Sequence, residues 1–164
     1  MWGFVGSSTA RFAAFLRGPR AVRDYLRGRW TGTGHNPLGA LSVVALLLAL
    51  AVQVGLGLIA EDEDGLYTGP LYRLVSIDTS DWARDLHEQW FNVVLGLIAL
   101  HLVAILLYRV RGKRLIAAMI TGRAKLPADA EPMRPGKWWI AALCLAVAVG
   151  VTRWVIAGAP PFGP

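Results

Sequence analysis

Cysteine occurs once in the 164 residues, at Cys144, so an internal disulfide framework is excluded. Charge is scarce as well: Asp, Glu, Lys and Arg together make up 17% of the chain, and none falls within 36–60, 89–108 or 138–152. Set beside 55% hydrophobic residues and a positive mean hydropathy, that scarcity argues against a soluble globular domain. The first 30 residues mix Arg with Phe, Leu and Gly and hold no continuous apolar run, so a cleavable signal peptide is not expected and insertion rests on the spans themselves. No repeat with a period of 20–50 residues and no low-complexity tract is present. A nucleophile–base pair, a phosphate-binding loop, Cys-x-x-Cys and His-Glu-x-x-His are all missing, which leaves hydrolytic and ATP-driven chemistry without support.

What is present is apolar length. A membrane-spanning helix needs about 20 apolar residues. The first two charge-free stretches reach that length outright, and the third reaches it if Arg153 snorkels to an interface. The expected fold class is an all-α integral membrane helix bundle with three transmembrane helices and short N-terminal interfacial helices. Asn36-Pro37 reads as a cap followed by proline at the first helical position, which starts the first span at about Pro37 and carries it to about Ala60. The second span is expected from about Leu86 to Val110 and the third over 138–157. Trp30, Trp90, Trp138, Trp139 and Trp154 fall at expected span ends, where an indole buries its ring and keeps its N–H wet. Residues 8–29 form two short amphipathic pieces broken at Gly18-Pro19, suited to a membrane surface.

The formal charge of +6 and a pI near 10 do not point to nucleic acid, because the basic residues flank spans and bring no stacking platform with them. Residues 1–36 hold six Arg against Asp24, 109–137 hold eight Lys or Arg against Asp129 and Glu131, and 61–88 hold eight acids against Arg73 and Arg84. Such alternation is what the positive-inside rule produces. The expected organisation is therefore a cytoplasmic interfacial segment over 1–36, a helix pair over 37–110 with an acidic external loop at 61–85, a basic cytoplasmic loop over 111–137, the third helix over 138–157 and an external tail over 158–164.

The chain has three histidines, His35, His87 and His101, and the last two share the second span. Fourteen residues at about 100° each fall only about 40° short of four turns, so both imidazoles leave one face of that helix, separated by about 21 Å along its axis. One lies near each membrane surface. A titratable side chain inside a membrane is costly and calls for a partner and a task. Imidazole is a good iron ligand, and axial histidines hold haem between helices, so the pair could carry two haems on one helix. The plainer reading is also open, since His87 stands among Asp85 and Glu88 at the membrane edge. His35 precedes the first span, where a loop role or a contact to a haem propionate is as open as ligation.

Several segments carry a resemblance: Trp2-Gly-Phe-Val-Gly-Ser7, Ala10-Arg-Phe-Ala-Ala-Phe-Leu-Arg-Gly-Pro19, Gly34-His-Asn-Pro-Leu-Gly-Ala40, Gly69-Pro-Leu71, Leu86-His-Glu88 with His101, and Met119-Ile-Thr-Gly-Arg123. In this order, over about Met1 to Pro127, they resemble the bacterial cytochrome b561 family, including the b-type cytochrome subunit of nickel-iron hydrogenases. The resemblance implies a multi-pass inner-membrane electron carrier with haem b, an electron-transfer subunit rather than a self-contained enzyme. It further implies exchange with quinone and with a redox partner. His87 and His101 match the family's two ligand positions on its fourth helix, and His35 matches its Gly-His-Asn-Pro element. Members of the family usually begin with two further helices, each with a histidine, and Trp2-Gly-Phe-Val-Gly resembles the cytoplasmic end of the second. The expectation is an N-terminally truncated chain; the alternatives are one bis-histidine haem at most, or a partner subunit that completes the sites.

The acidic residues Glu61, Asp62, Glu63, Asp64, Asp78, Asp81 and Asp85 could steer a basic periplasmic c-type cytochrome, or they form an ordinary solvated loop. Lys and Arg at 109–125 could meet haem propionates or anionic lipid, although topology alone accounts for them. Membrane lipid, quinone, a periplasmic c-type cytochrome or hydrogenase-like partner, and a homo-oligomer are the partners left open, and nucleic acid is not among them. The competing class is a haem-free membrane subunit, or a truncated structural remnant, that binds a redox complex through its helices and basic cytoplasmic face. The charge pattern predicts that 1–36 and 109–137 are cytoplasmic and that 61–88 and the C-terminus are external. Cysteine labelling from each side of the membrane checks this, and label reaching the 61–88 loop from the cytoplasm would overturn it.

Overall fold

The computed structural model describes residues 1–30, 36–112 and 134–162. Among them the chain is all-α: α1 (Trp2–Val5), α2 (Phe12–Phe15), α3 (Pro19–Leu26), α4 (Pro37–Ile59), α5 (Ile77–Val110) and α6 (Trp138–Ile156), with a 3-10 turn at Tyr72–Leu74. Helices α4, α5 and α6 are long and apolar enough to cross a membrane. The protein is thus an all-α membrane protein. Its large side chains outside the helix contacts, such as Leu48, Leu100, Leu106 and Leu145, are exposed, as lipid-facing residues are. His35 and the basic residues at 113–125 lie outside the described residues.

The chain separates into two compact units. One comprises Met1–Val44 and Gly96–Lys137, the other Ala45–Leu95 and Trp138–Pro164.

In the first unit an aromatic group organises the N-terminus. Phe4 and Phe12 meet edge to face at 5.2 Å, Phe12 lies 5.5 Å from Phe15, and Phe15 is buried. Trp2 covers Gly136, where any Cβ would strike the indole, and Ser8 exchanges two hydrogen bonds with the backbone of Arg134 (3.1 and 3.0 Å). Gly18 precedes α3 and Pro19 occupies its first turn, as the Gly-Pro break implies. Tyr25 then ties α3 to the end of α5, its hydroxyl 2.6 Å from that of Tyr108. Asn36 Nδ2 donates to the same Tyr108 oxygen (3.1 Å), while Asn36 Oδ1 accepts from the Gly39 amide (2.7 Å) and so caps α4. One hydroxyl therefore joins three segments.

In the second unit the turn after α4 is pinned from both sides. The Gly69 amide donates to the Ala60 carbonyl (2.7 Å) and Leu71 to that of Leu58 (2.8 Å), satisfying carbonyls that the helix end leaves free. A Cβ on Gly69 would run into the main chain of Gly57 and Leu58, so only glycine permits this approach. Helix α5 begins at Ile77 rather than near Leu86. Ser76 accepts from the Thr79 amide (3.3 Å), and Asp78 lies in the positive first turn. The acidic stretch before the apolar run is thus partly helix, and Arg84 holds Asp81 (2.8 Å) and Asp85 (3.3 Å) along it. Helix α6 closes on Gly158 in the left-handed region (φ 82°), with Ala159 donating back to the Trp154 carbonyl (2.9 Å).

Burial, followed by the hydrogen bond and charge of Tyr108, pushes the Tyr25 phenol up to about 12, against a smaller opposing pull from Arg111. The raised value means that the neutral phenol is the bound form. Its contribution to anchoring α3 is complete below pH about 10 and is lost as pH rises through about 12. Phenolate absorbance should show one tyrosine ionising late in the native chain, and Tyr25→Phe should remove that late step. Superimposable titrations would contradict it.

Candidate functional site

The apolar helix α4 has two side chains able to make hydrogen bonds, Ser42 and Gln53. Each meets a histidine of α5. In the first unit Ser42 Oγ lies 3.1 Å from His101 Nδ1. In the second unit Gln53 Nε2 lies 2.9 Å from His87 Nε2, and His87 Nδ1 lies 3.0 Å from the Gln53 main-chain oxygen. Both histidines thus turn toward α4, as the 14-residue spacing on α5 requires. His87 and His101 also belong to a seven-residue series, Ser80, His87, Val94, His101 and Tyr108, of which Ser80 and Val94 are buried. Seven residues close nearly two turns, so a heptad keeps one stripe of a helix against its neighbour.

The chemistry of the partners fixes the tautomer of His87. A main-chain carbonyl can only accept, so Nδ1 carries the proton. A carboxamide nitrogen can only donate, so Nε2 offers its lone pair. One residue thus holds the ring at both nitrogens. The ring's Cε1 edge also points at a gap in α4: a Cβ built on Gly57 would stand 2.8 Å from His87 Cε1. Glycine at this position is what lets the imidazole reach the Gln53 carbonyl. Beside it, Trp90 Nε1 donates to the Ala49 carbonyl (3.0 Å), and Ala49 is buried. The Gln53 Oε1 atom is buried with no hydrogen-bond partner among the described residues.

His101 is held differently. Only Nδ1 is engaged, by the Ser42 hydroxyl, and Nε2 meets no polar atom among the described residues. A histidine that ligates a metal through one nitrogen generally has its other nitrogen oriented by a hydrogen bond, and both rings meet that condition. Among the described residues no three His, Cys, Asp or Glu side chains converge on one point. Isolated imidazoles of this kind suit an iron whose equatorial positions a porphyrin already fills. The residues present therefore fit haem through His101 Nε2 directly, and through His87 Nε2 once the Gln53 amide is turned aside.

Sequence reasoning identified the two histidines by spacing, and each has its own setting here. They are not brought together as a pair on one metal. It missed Ser42 and Gln53, although the signal was legible: they interrupt an otherwise apolar helix at positions 11 apart, about three turns. It also missed the Tyr25, Asn36 and Tyr108 junction. Some of the acidic side chains that could steer a partner are engaged locally, since Asp81 and Asp85 pair with Arg84 and Asp62 accepts from the Tyr67 amide (3.0 Å).

Comparison with known proteins gives the family. The family described as prokaryotic cytochrome b561 matches residues 10–122, well over half of the chain, and that stretch includes α4, α5 and both α5 histidines, His87 and His101. No curated protein and no solved structure matches. With three spanning helices and a family match that covers the first two of them and the imidazoles, the chain belongs to the prokaryotic cytochrome b561 family of membrane b-type cytochromes.

Proposed function

We propose that this protein carries electrons across the bacterial inner membrane, between the quinone pool and a redox partner, on haem b held by His87 and His101. The observation that carries the reading is that the polar side chains of α4, Ser42 and Gln53, are each spent on orienting one of these imidazoles. Haem b, when bound, supplies an iron that takes up and releases one electron at a time. The chain supplies everything around it. Ser42 fixes the rotation of the His101 ring, the Gln53 carbonyl fixes the proton of His87 on Nδ1, and Gly57 provides the space into which that ring fits.

The charge pattern supports a cytoplasmic N-terminus and basic 109–137 segment, with 61–88 and the C-terminus on the periplasmic side. In this arrangement His101 serves the cytoplasmic half and His87 the periplasmic half. A c-type cytochrome or a hydrogenase-like subunit is the partner class that fits the acidic periplasmic stretch. His35, next to the Asn36 cap, is a secondary candidate for ligation or for a propionate contact.

Two bis-histidine haems require four imidazoles, and this chain has three. One copy alone is therefore expected to hold at most one bis-histidine haem, and a form supplied with further histidine-bearing helices is expected to hold two. Titration of the purified 164-residue chain with haemin, followed by absorption spectroscopy, checks this. Tight uptake of two haems per chain would contradict it.

A further inference from the structure

We propose that Gln53 is the positioning residue of His87, and that it controls access to it. Its main-chain carbonyl sets the ring as the Nδ1–H tautomer, and its carboxamide covers the Nε2 lone pair, the atom through which the ring would bind iron. The proposal rests on the haem reading above and adds to it a difference between the two histidines.

The difference is in the hydrogen bonds. At His101 one nitrogen is held by a hydroxyl (3.1 Å), and the other meets no polar atom among the described residues. At His87 both nitrogens are held by the same residue, 2.9 Å at Nε2 and 3.0 Å at Nδ1. Iron and a carboxamide hydrogen cannot share one lone pair, so the Gln53 side chain must leave Nε2 before a metal can occupy it. The main-chain bond can stay. The orientation of the ring therefore survives the exchange, while the cover does not.

The carboxamide is also badly served where it stands. Its Oε1 is buried and unpartnered among the described residues, and an unsatisfied buried acceptor is costly. Gln53 thus gives up one hydrogen bond on leaving His87 and releases an acceptor that is unsatisfied where it stands. A second feature keeps the ring in place meanwhile. Gly57 offers no side chain at the ring's Cε1, so the imidazole fits against bare helix while the main-chain bond to Nδ1 holds it. The two imidazoles should accordingly differ in access: Nε2 of His101 is open, and Nε2 of His87 becomes available only as Gln53 turns.

The test uses the full chain in detergent micelles or lipid nanodiscs, with the variants Gln53→Leu, His101→Ala and the double variant. Leucine removes the carboxamide and keeps the main-chain carbonyl. Nitrogen NMR of labelled histidine, without haem, should show His87 neutral, protonated at Nδ1 and hydrogen-bonded at Nε2. Gln53→Leu should shift the Nε2 signal alone. A His87 protonated at Nε2, or a spectrum indifferent to Gln53→Leu, would overturn the proposal. Haemin is then titrated into His101→Ala with and without Gln53→Leu. Removing the cover should speed or tighten uptake at His87 on the order of tenfold, the worth of one hydrogen bond and its strained acceptor. Equal uptake by the two forms would overturn the control of access. If neither form binds haemin while the NMR signature stands, the haem reading fails and the tautomer assignment does not.

Discussion

A polar side chain inside a membrane span has no water to turn to, so it must find its partner within the protein. That constraint organises the chain. Ser42 and Gln53 interrupt α4, His87 and His101 interrupt α5, and the structure pairs each of the first two with one of the second two across the helices. Each such hydrogen bond is worth only about 0.6–2 kcal/mol in a membrane. Their value is directional. An apolar helix face tolerates many rotations, whereas a glutamine that holds both nitrogens of one imidazole tolerates almost none, and α5 is thereby fixed in rotation at His87.

The ends of the helices obey the same rule with different residues. Asn36 caps α4 and also reaches Tyr108, which Tyr25 reaches from α3. At the other end the turn after α4 folds back so that Gly69 and Leu71 take the free carbonyls, at an approach that only glycine allows. Trp90 spends its indole N–H on the Ala49 carbonyl. Glycine appears where backbone or ring must come close, at Gly57 and Gly69, and hydrogen-bonding side chains appear where a helix group would otherwise be orphaned.

Much of this was legible in the sequence because the signals were strong and periodic. Charge-free runs placed α4 and α6 to within a residue or two, and Asn36-Pro37 announced the start of α4. The start of α5 was not legible from the same rule. Hydropathy marks where a helix enters lipid, while Ser76 and Asp78 mark where it begins, nine residues earlier than the apolar run suggests. The histidines were found because 14 residues nearly close four turns. Their partners were passed over because a lone serine or glutamine in an apolar run reads as noise until the facing helix is in view. The Tyr25 to Tyr108 contact joins residues 83 apart, and no local pattern reports it.

The proposed function builds on the same pairing: in a family of b-type cytochromes, imidazoles oriented inside a membrane span are the side chains we propose as iron ligands. The most direct measurement is a pyridine haemochrome assay on the protein purified from membranes, native and with both His87→Ala and His101→Ala. Haem b in the native protein and none in the double variant, with both forms inserted equally well in the membrane, is the predicted result. Haem retained in full by the double variant would contradict the assignment of these two histidines as its ligands.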